Sequence, residues 1–399
     1  MKKPRAFLLA VFALSVLLML EVQSVTASGD YWVKRAPMPN GDNDIGGPIA
    51  ELNFGTVALN GEIYAVGNNF TEVFNPAPDS WASKTELPTN QENFALAACQ
   101  GNIYGIGGAL NEFTVFTGAN EMYNPANDSW TAKASLPVPT QQMQADVVNG
   151  KIYVIGGLNG TTAGAPEVSD VTWIYDPVAN SWSTGANIPT PVFSYCSAVV
   201  GNKIYVEGGQ LAGSPYFSDQ NQIYDPETNT WSTGQSIPIP AQWAAAAATS
   251  GALAPARLYV MGGTTDEQSG INSVQIYNPQ TDNWTMGAQM PNLLADLEAA
   301  VVNDCIYTIG GYNTIEPGYL HPNTGYAENE EYIPLGYSGS APPQYPTPNP
   351  TLLSSATPTL TPTVTEFPPI MIIAPLFIAV FSIAVMIRYR KTPSDVTTY

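Results

Sequence analysis

The chemistry open to this chain is limited first by scarcity. Among 399 residues there is one histidine, His321, and there are three cysteines, Cys99, Cys196 and Cys305. One imidazole cannot supply both a histidine-based triad and a histidine-ligated metal; the expectation for this chain is no metal and no cofactor. An odd number of cysteines leaves at least one without a partner in the chain. Each stands in an apolar, strand-like stretch, which suits a small buried hydrophobe. Thirteen Lys and Arg against 33 Asp and Glu give a formal net charge of -20. That balance repels phosphate backbones and excludes nucleic acid as a partner.

Two sets of residues remain as candidates. Glu207 occupies a strand position filled in equivalent stretches by Val66, Ile106, Ile155, Met261 and Ile309. An unpaired buried carboxylate is costly, so Glu207 is expected to be paired, protonated or open to a channel. The second set comprises Phe54, Phe94, Met143, Tyr195 and Leu297, with Trp243 near the corresponding place in a longer repeat. All stand at the start of an inner strand. Such a ring of apolar side chains either lines one mouth of a central channel, where it meets a sugar or a peptide, or plugs the channel as core.

The elements that position these residues are repeats. Gly101-Asn102-Ile103-Tyr104-Gly105-Ile106-Gly107-Gly108 and Gly150-Lys151-Ile152-Tyr153-Val154-Ile155-Gly156-Gly157 are one element, which recurs at Ile63, Ile204, Leu258 and Ile306. A second element follows each copy, as in Met122-Tyr123-Asn124-Pro125 and Ile174-Tyr175-Asp176-Pro177. Five copies then reach Trp81, Trp130, Trp182, Trp231 and Trp284, while an orphan copy of that last strand stands at the front, around Asp30 and Trp32. Counted from Trp32, the tryptophans step by 49, 49, 52, 49 and 53 residues. With a softer apolar strand before each Ile-Tyr element, every period holds four strands, the content of one propeller blade. Blades stack face to face, so their strands read as continuous apolar runs, and this accounts for the 12% of charged residues. The chain is therefore expected to be an all-β, six-bladed propeller over residues 28–337, with Trp32 completing the last blade so that no sheet edge is left open.

The paired glycines, the Tyr and the Trp at fixed offsets resemble the kelch repeat family over about Asp30 to Tyr337. Two copies depart from the pattern: Gly67-Asn68 replaces the glycine pair in the first, and the sixth has no Trp of its own. Basic residues that often begin the family's inner strands are absent here. The resemblance implies a scaffold that carries enzymes and binding modules alike. The copper radical oxidases of this fold use two His, which His321 alone cannot provide. Sialidase-like catalysis on such propellers uses three Arg, against Arg35 and Arg257 in the expected folded part. Exported sialic-acid mutarotases of this type need only an acid and a base, which keeps a sugar-modifying enzyme as the alternative reading.

The two ends read as cellular addresses. Residues 1–27 combine Lys2, Lys3 and Arg5 with an apolar run and a small-residue cleavage pattern, a secretory signal peptide. Residues 338–366 are rich in Pro and Thr and form a stalk. Residues 367–387 are uncharged and precede Arg388, Arg390 and Lys391, which reads as one transmembrane helix with a cytoplasmic tail at 388–399. The resulting expectation is a membrane-anchored, outward-facing module that binds extracellular protein or glycan through its loop face.

Overall fold

The computed structural model describes residues 29–39, 54–67, 69–110, 115–160, 166–313 and 327–340. The chain divides into two compact units, Met1–Pro343 and Gln344–Tyr399, and the described residues all belong to the first. The expected signal peptide, nearly all of the stalk, the transmembrane helix, the tail and His321 lie outside the described residues. Among the described residues no helix is long and apolar enough to cross a membrane, and there is no α-helix at all.

Beside two small sheets of two and three short strands, the described residues form six four-stranded antiparallel sheets, with inner strands Gly55–Leu59, Ala95–Cys99, Gln144–Val148, Cys196–Val200, Ala245–Ala248 and Ala295–Val302. Each inner strand neighbours the ones before and after it, and the sixth neighbours the first, so the described sheets close in a propeller-like ring. Tight turns lead from each of five inner strands into its Ile-Tyr strand. Asn60-Gly61, Gln100-Gly101, Asn149-Gly150, Gly201-Asn202 and Asn303-Asp304 all have positive φ at both positions. That is the conformation whose twist matches the flanking strands. The core lies between sheets rather than beneath them. Ile63, Ile103, Ile152, Ile204, Leu258 and Ile306 have no exposed surface, because each is covered by the sheet next door.

One clamp joins every neighbouring pair of sheets. Asp30, Asp79, Asp128, Asn180, Asn229 and Asp282 all adopt left-handed backbone, with φ between 47° and 64°. This is a region that Asn and Asp tolerate better than other side chains do. The Oδ1 of each accepts the backbone N–H of a residue in the preceding sheet, respectively Ala288, Ala36, Thr85, Ala134, Ala186 and Gln235. Two residues later the indole N–H of Trp32, Trp81, Trp130, Trp182, Trp231 or Trp284 donates to the carbonyl of that same residue at 2.8–3.0 Å. In five sheets the Asx oxygen also accepts the hydroxyl of the repeated Tyr, 2.6–2.7 Å away. The first sheet has Phe74 there, which cannot donate.

The ring closes as the sequence predicts. Tyr31–Lys34 pairs with Asn329–Ile333, setting Trp32 opposite Tyr332, in the sheet that also contains Tyr307. The closing strand is held by a buried ion pair, in which Arg35 donates from Nε and Nη2 to Glu331 Oε2. Tyr307 donates to the other carboxylate oxygen at 2.6 Å. Cys99, Cys196 and Cys305 are free and buried, as expected of small hydrophobes.

Removing one partner of a buried, hydrogen-bonded pair strands the other. Arg35→Met is therefore expected to destabilise the fold by about 3–5 kcal/mol. Lys151→Ala, which removes a partly exposed ion pair to Asp176 at 3.9 Å, is expected to cost only about 0–1 kcal/mol. Urea denaturation of both variants checks this, and equal losses would show that the closing strand is not held by the Arg35 pair.

Candidate functional site

The channel enclosed by the inner strands ends at a rim whose backbone repeats while its side chains do not. Asn93, Gln142, Ser194, Trp243 and Asp296 come from five successive sheets, and all have φ between 52° and 56°. The N–H of Gln142 donates to the carbonyl of Asn93, Ser194 to Gln142, Trp243 to Ser194 and Asp296 to Trp243, at 2.8–3.0 Å. This run of backbone hydrogen bonds holds the left-handed conformation even in Gln142, Ser194 and Trp243, residue types that otherwise avoid it. Five different side chains are thereby presented at equivalent positions.

The paired glycines support the rim from below. Gly108, Gly157, Gly209 and Gly263 each donate an N–H to a carbonyl in the next sheet, those of Thr140, Val192, Ala241 and Leu294. At Gly157, with φ of 83°, a Cβ would stand 2.8 Å from the carbonyl oxygen of Gln141 and 2.9 Å from the Cβ of Met143. No larger residue fits that approach. Loops that follow the glycines bridge to residues just before the rim, as Ala109 does to Glu92, Gln210 to Phe193 and Thr264 to Gln242. The loop face and the rim thus share one end of the ring.

Phe54, Phe94, Met143, Tyr195, Trp243 and Leu297 all meet at this mouth, lining a cavity of about 60 Å³. All but Trp243 are buried. Tyr195 shows how they are used: its hydroxyl accepts the N–H of Gln144 and donates to the carbonyl of Ile155 in the neighbouring sheet, at 3.2 and 2.5 Å. Trp243 stands one residue out of register with the other five. The residue that packs on the second glycine, as Phe94, Met143, Tyr195 and Leu297 do, is Ala244. Trp243 instead belongs to the rim, half-buried and edge-on to Tyr312 at 6.4 Å.

Beyond the mouth the channel widens to about 330 Å³, and Gln144, Ala244 and Glu298 line both parts. Small residues dominate its wall, with Ala244–Ala248, Ala97, Ala98, Ala145, Ala198, Ala299 and Ala300. Three carboxylates interrupt it. Asp296 and Glu298 line the mouth and Asp146 the wider part, where it accepts the Ser197 hydroxyl at 2.7 Å. Burial pushes Asp296 up to about 6 and Asp146 up to about 7, against the opposing Ser197 bond. Burial and the neighbouring Asp296 push Glu298 up to about 8. Among the described residues no Lys, Arg or His lines either part.

These acids escape a reading of the repeats, although each breaks an apolar strand just as Glu207 does. Glu207 itself lies away from the mouth. It has no exposed surface, lines neither part of the channel and faces Cys196 and Asn221 across its strand. Among the described residues neither of its carboxylate oxygens has a hydrogen-bond partner, and burial drives its pKa well upward, favouring the neutral acid. Neither a pairing partner nor an opening to the channel accounts for it, so protonation is the remaining way to accommodate it.

Two measurements follow. Carboxylates whose folded pKa exceeds the unfolded value near 4 bind protons on folding, so their stabilising contribution is complete below pH about 4. It declines as pH rises through about 6, 7 and 8 for Asp296, Asp146 and Glu298. The thermal midpoint should fall between pH 5 and about 9, and Glu298→Gln should flatten the upper part of that fall. A midpoint that rises over this range would contradict the assignment. Glu207→Met, which restores the residue type of the fifth repeat, should raise stability by about 1–3 kcal/mol. A loss in urea denaturation would mean that Glu207 has a partner.

Similarity to known proteins accords with this geometry. The KLHDC2/KLHL20/DRC7 Kelch-repeats domain matches residues 93–311, more than half of the chain. The chain is 33% identical over 146 residues to Kelch-like protein 25 of Xenopus tropicalis, covering 36% of this chain and 25% of that protein. It is 36% identical over 78 residues to Kelch-like protein 35 of Mus musculus, covering 18% and 14%. The chain thus spans a quarter or less of these curated relatives. The solved structure of YjhT superposes with a TM-score of 0.61 at 16% identity, over 73% of this chain and 95% of that one, a likeness of fold. With its glycine pairs, Asx–Trp clamps and four-stranded sheets, the chain belongs to the kelch-repeat family.

Proposed function

We propose that this kelch domain is a recognition module that binds extracellular protein or glycan through the rim and loops at one end of a six-bladed propeller. One observation carries the reading. The repeated Trp, Asx, Tyr and glycine residues are consumed in joining sheets, whereas the rim holds Asn, Gln, Ser, Trp and Asp side chains on one repeated backbone. A rigid scaffold with dissimilar side chains at equivalent points is suited to selective binding. Kelch domains generally bind proteins, which is the broader expectation for this family. In this reading the six described sheets are the full set of blades, residues 1–27 direct export, and 367–387 anchor the module in the cell membrane with the propeller outside.

A second reading has support in the same place. Two carboxyl groups with pKa values near 6 and 8 at one mouth are the equipment for proton transfer on a small sugar. Screening the full-length chain against glycan and peptide arrays, alongside anomer-exchange assays on free sugars, separates the two. Recognition predicts a saturable hit that weakens about ten-fold or more in Trp243→Ala. Exchange lost in Asp296→Asn, with no array hit, would replace recognition by catalysis.

A further inference from the structure

The mouth is built for a particular charge. Its carboxylates Asp296 and Glu298 stand two residues apart on one strand, Asp146 lies deeper, and no basic side chain among the described residues lines the cavity to neutralise them. The backbone N–H of Thr56 eases the charge on Glu298, and Asp146 accepts the Ser197 hydroxyl. Among the described residues no hydrogen bond or ion pair satisfies the Asp296 carboxylate.

Unused hydroxyls stand beside these acids. Ser194 lines the mouth at 7% exposure and Thr56 lines the wider channel at 8%, and among the described residues the hydroxyl oxygen of each lacks a hydrogen-bond partner. Both are free to accept. Around them the wall is aromatic: Trp243, Tyr195, Phe94 and Phe54 line the same cavity. Aromatic faces attract cations most strongly where water is excluded. A mouth of about 60 Å³ has room for a head group of a few heavy atoms, with its stem left outside.

From this juxtaposition we infer that the mouth binds an ammonium or guanidinium group, presented by a lysine or arginine side chain of a partner protein, with Asp296 and Glu298 as its counter-ions. The charge stays close to the aromatic rim while Ser194 takes one of its donors. The inference rests on reading this face as a recognition surface and specifies what that surface selects.

The test is calorimetric titration of the full-length chain with three probes: a Gly/Ser peptide bearing one central lysine, the same peptide with that lysine acetylated, and spermidine. The lysine peptide should bind, and the acetylated peptide should bind at least about ten-fold more weakly. Combined Asp296→Asn and Glu298→Gln should weaken the lysine peptide about ten-fold or more, whereas Glu227→Gln, on an exposed outer turn, should leave it unchanged. Both substitutions at the mouth remove an ionisable carboxyl without changing shape, and an unchanged thermal midpoint or a higher one would show that the fold is intact. Equal binding of the two peptides, equal loss in the Glu227 variant, or no binding of any probe would overturn the inference. Spermidine binding without peptide binding would overturn a protein side chain as the source. If array hits persist while the lysine peptide fails, the face remains a recognition surface and only the cation specificity falls.

Discussion

Each of the six described four-stranded sheets is joined to its neighbour by one recurring side-chain contact, the carboxamide or carboxylate of a left-handed Asx residue reaching the backbone N–H of the sheet before it. Six such contacts recur, each reinforced by an indole N–H on the carbonyl of the same residue. A four-stranded sheet has two apolar faces and cannot stand alone in water. The clamp determines which face meets which neighbour and at what angle. It leaves the turn at the outer edge exposed, so the inner edge is free to enclose a channel.

Closure follows from the same contact. Asp30 and Trp32 arrive from the N-terminal side of the described chain, yet they serve the sixth sheet, donating to and accepting from Ala288 as their counterparts do elsewhere. The Arg35–Glu331 pair then anchors a strand that has no covalent hairpin to the sheet it completes. A ring closed in this way brings the rim residues into register, with Trp243 and Asp296 both at positive φ.

Much of this was legible in the sequence because it is repeated. The Trp spacing, the Ile-Tyr strands and the glycine pairs gave the sheets, and the match between Asp30-Tyr31-Trp32 and Asp282-Asn283-Trp284 gave the closing strand. The channel was less legible for two reasons. In Gln242-Trp243-Ala244 the apolar pattern favours the large side chain as the wedge, whereas the backbone circuit assigns that place to Ala244 and turns Trp243 onto the rim. Pattern breaks are also ambiguous: Glu207, Asp146 and Glu298 all interrupt apolar strands. Glu207 lies on a second strand covered on both sides, while the other two lie on inner strands that border open space. A one-dimensional pattern does not separate those environments, because the difference is created only when the ring closes.

Hydrogen exchange at the rim tests most directly whether closure makes this surface rigid. The amides of Gln142, Ser194, Trp243 and Asp296 each donate into the circuit between sheets, so they should exchange only through global opening, as slowly as the amides of the Ile-Tyr strands. Exchange at the rate of the neighbouring surface loops, in a chain whose strands remain protected, would show that the rim is not part of the ring and would contradict the account.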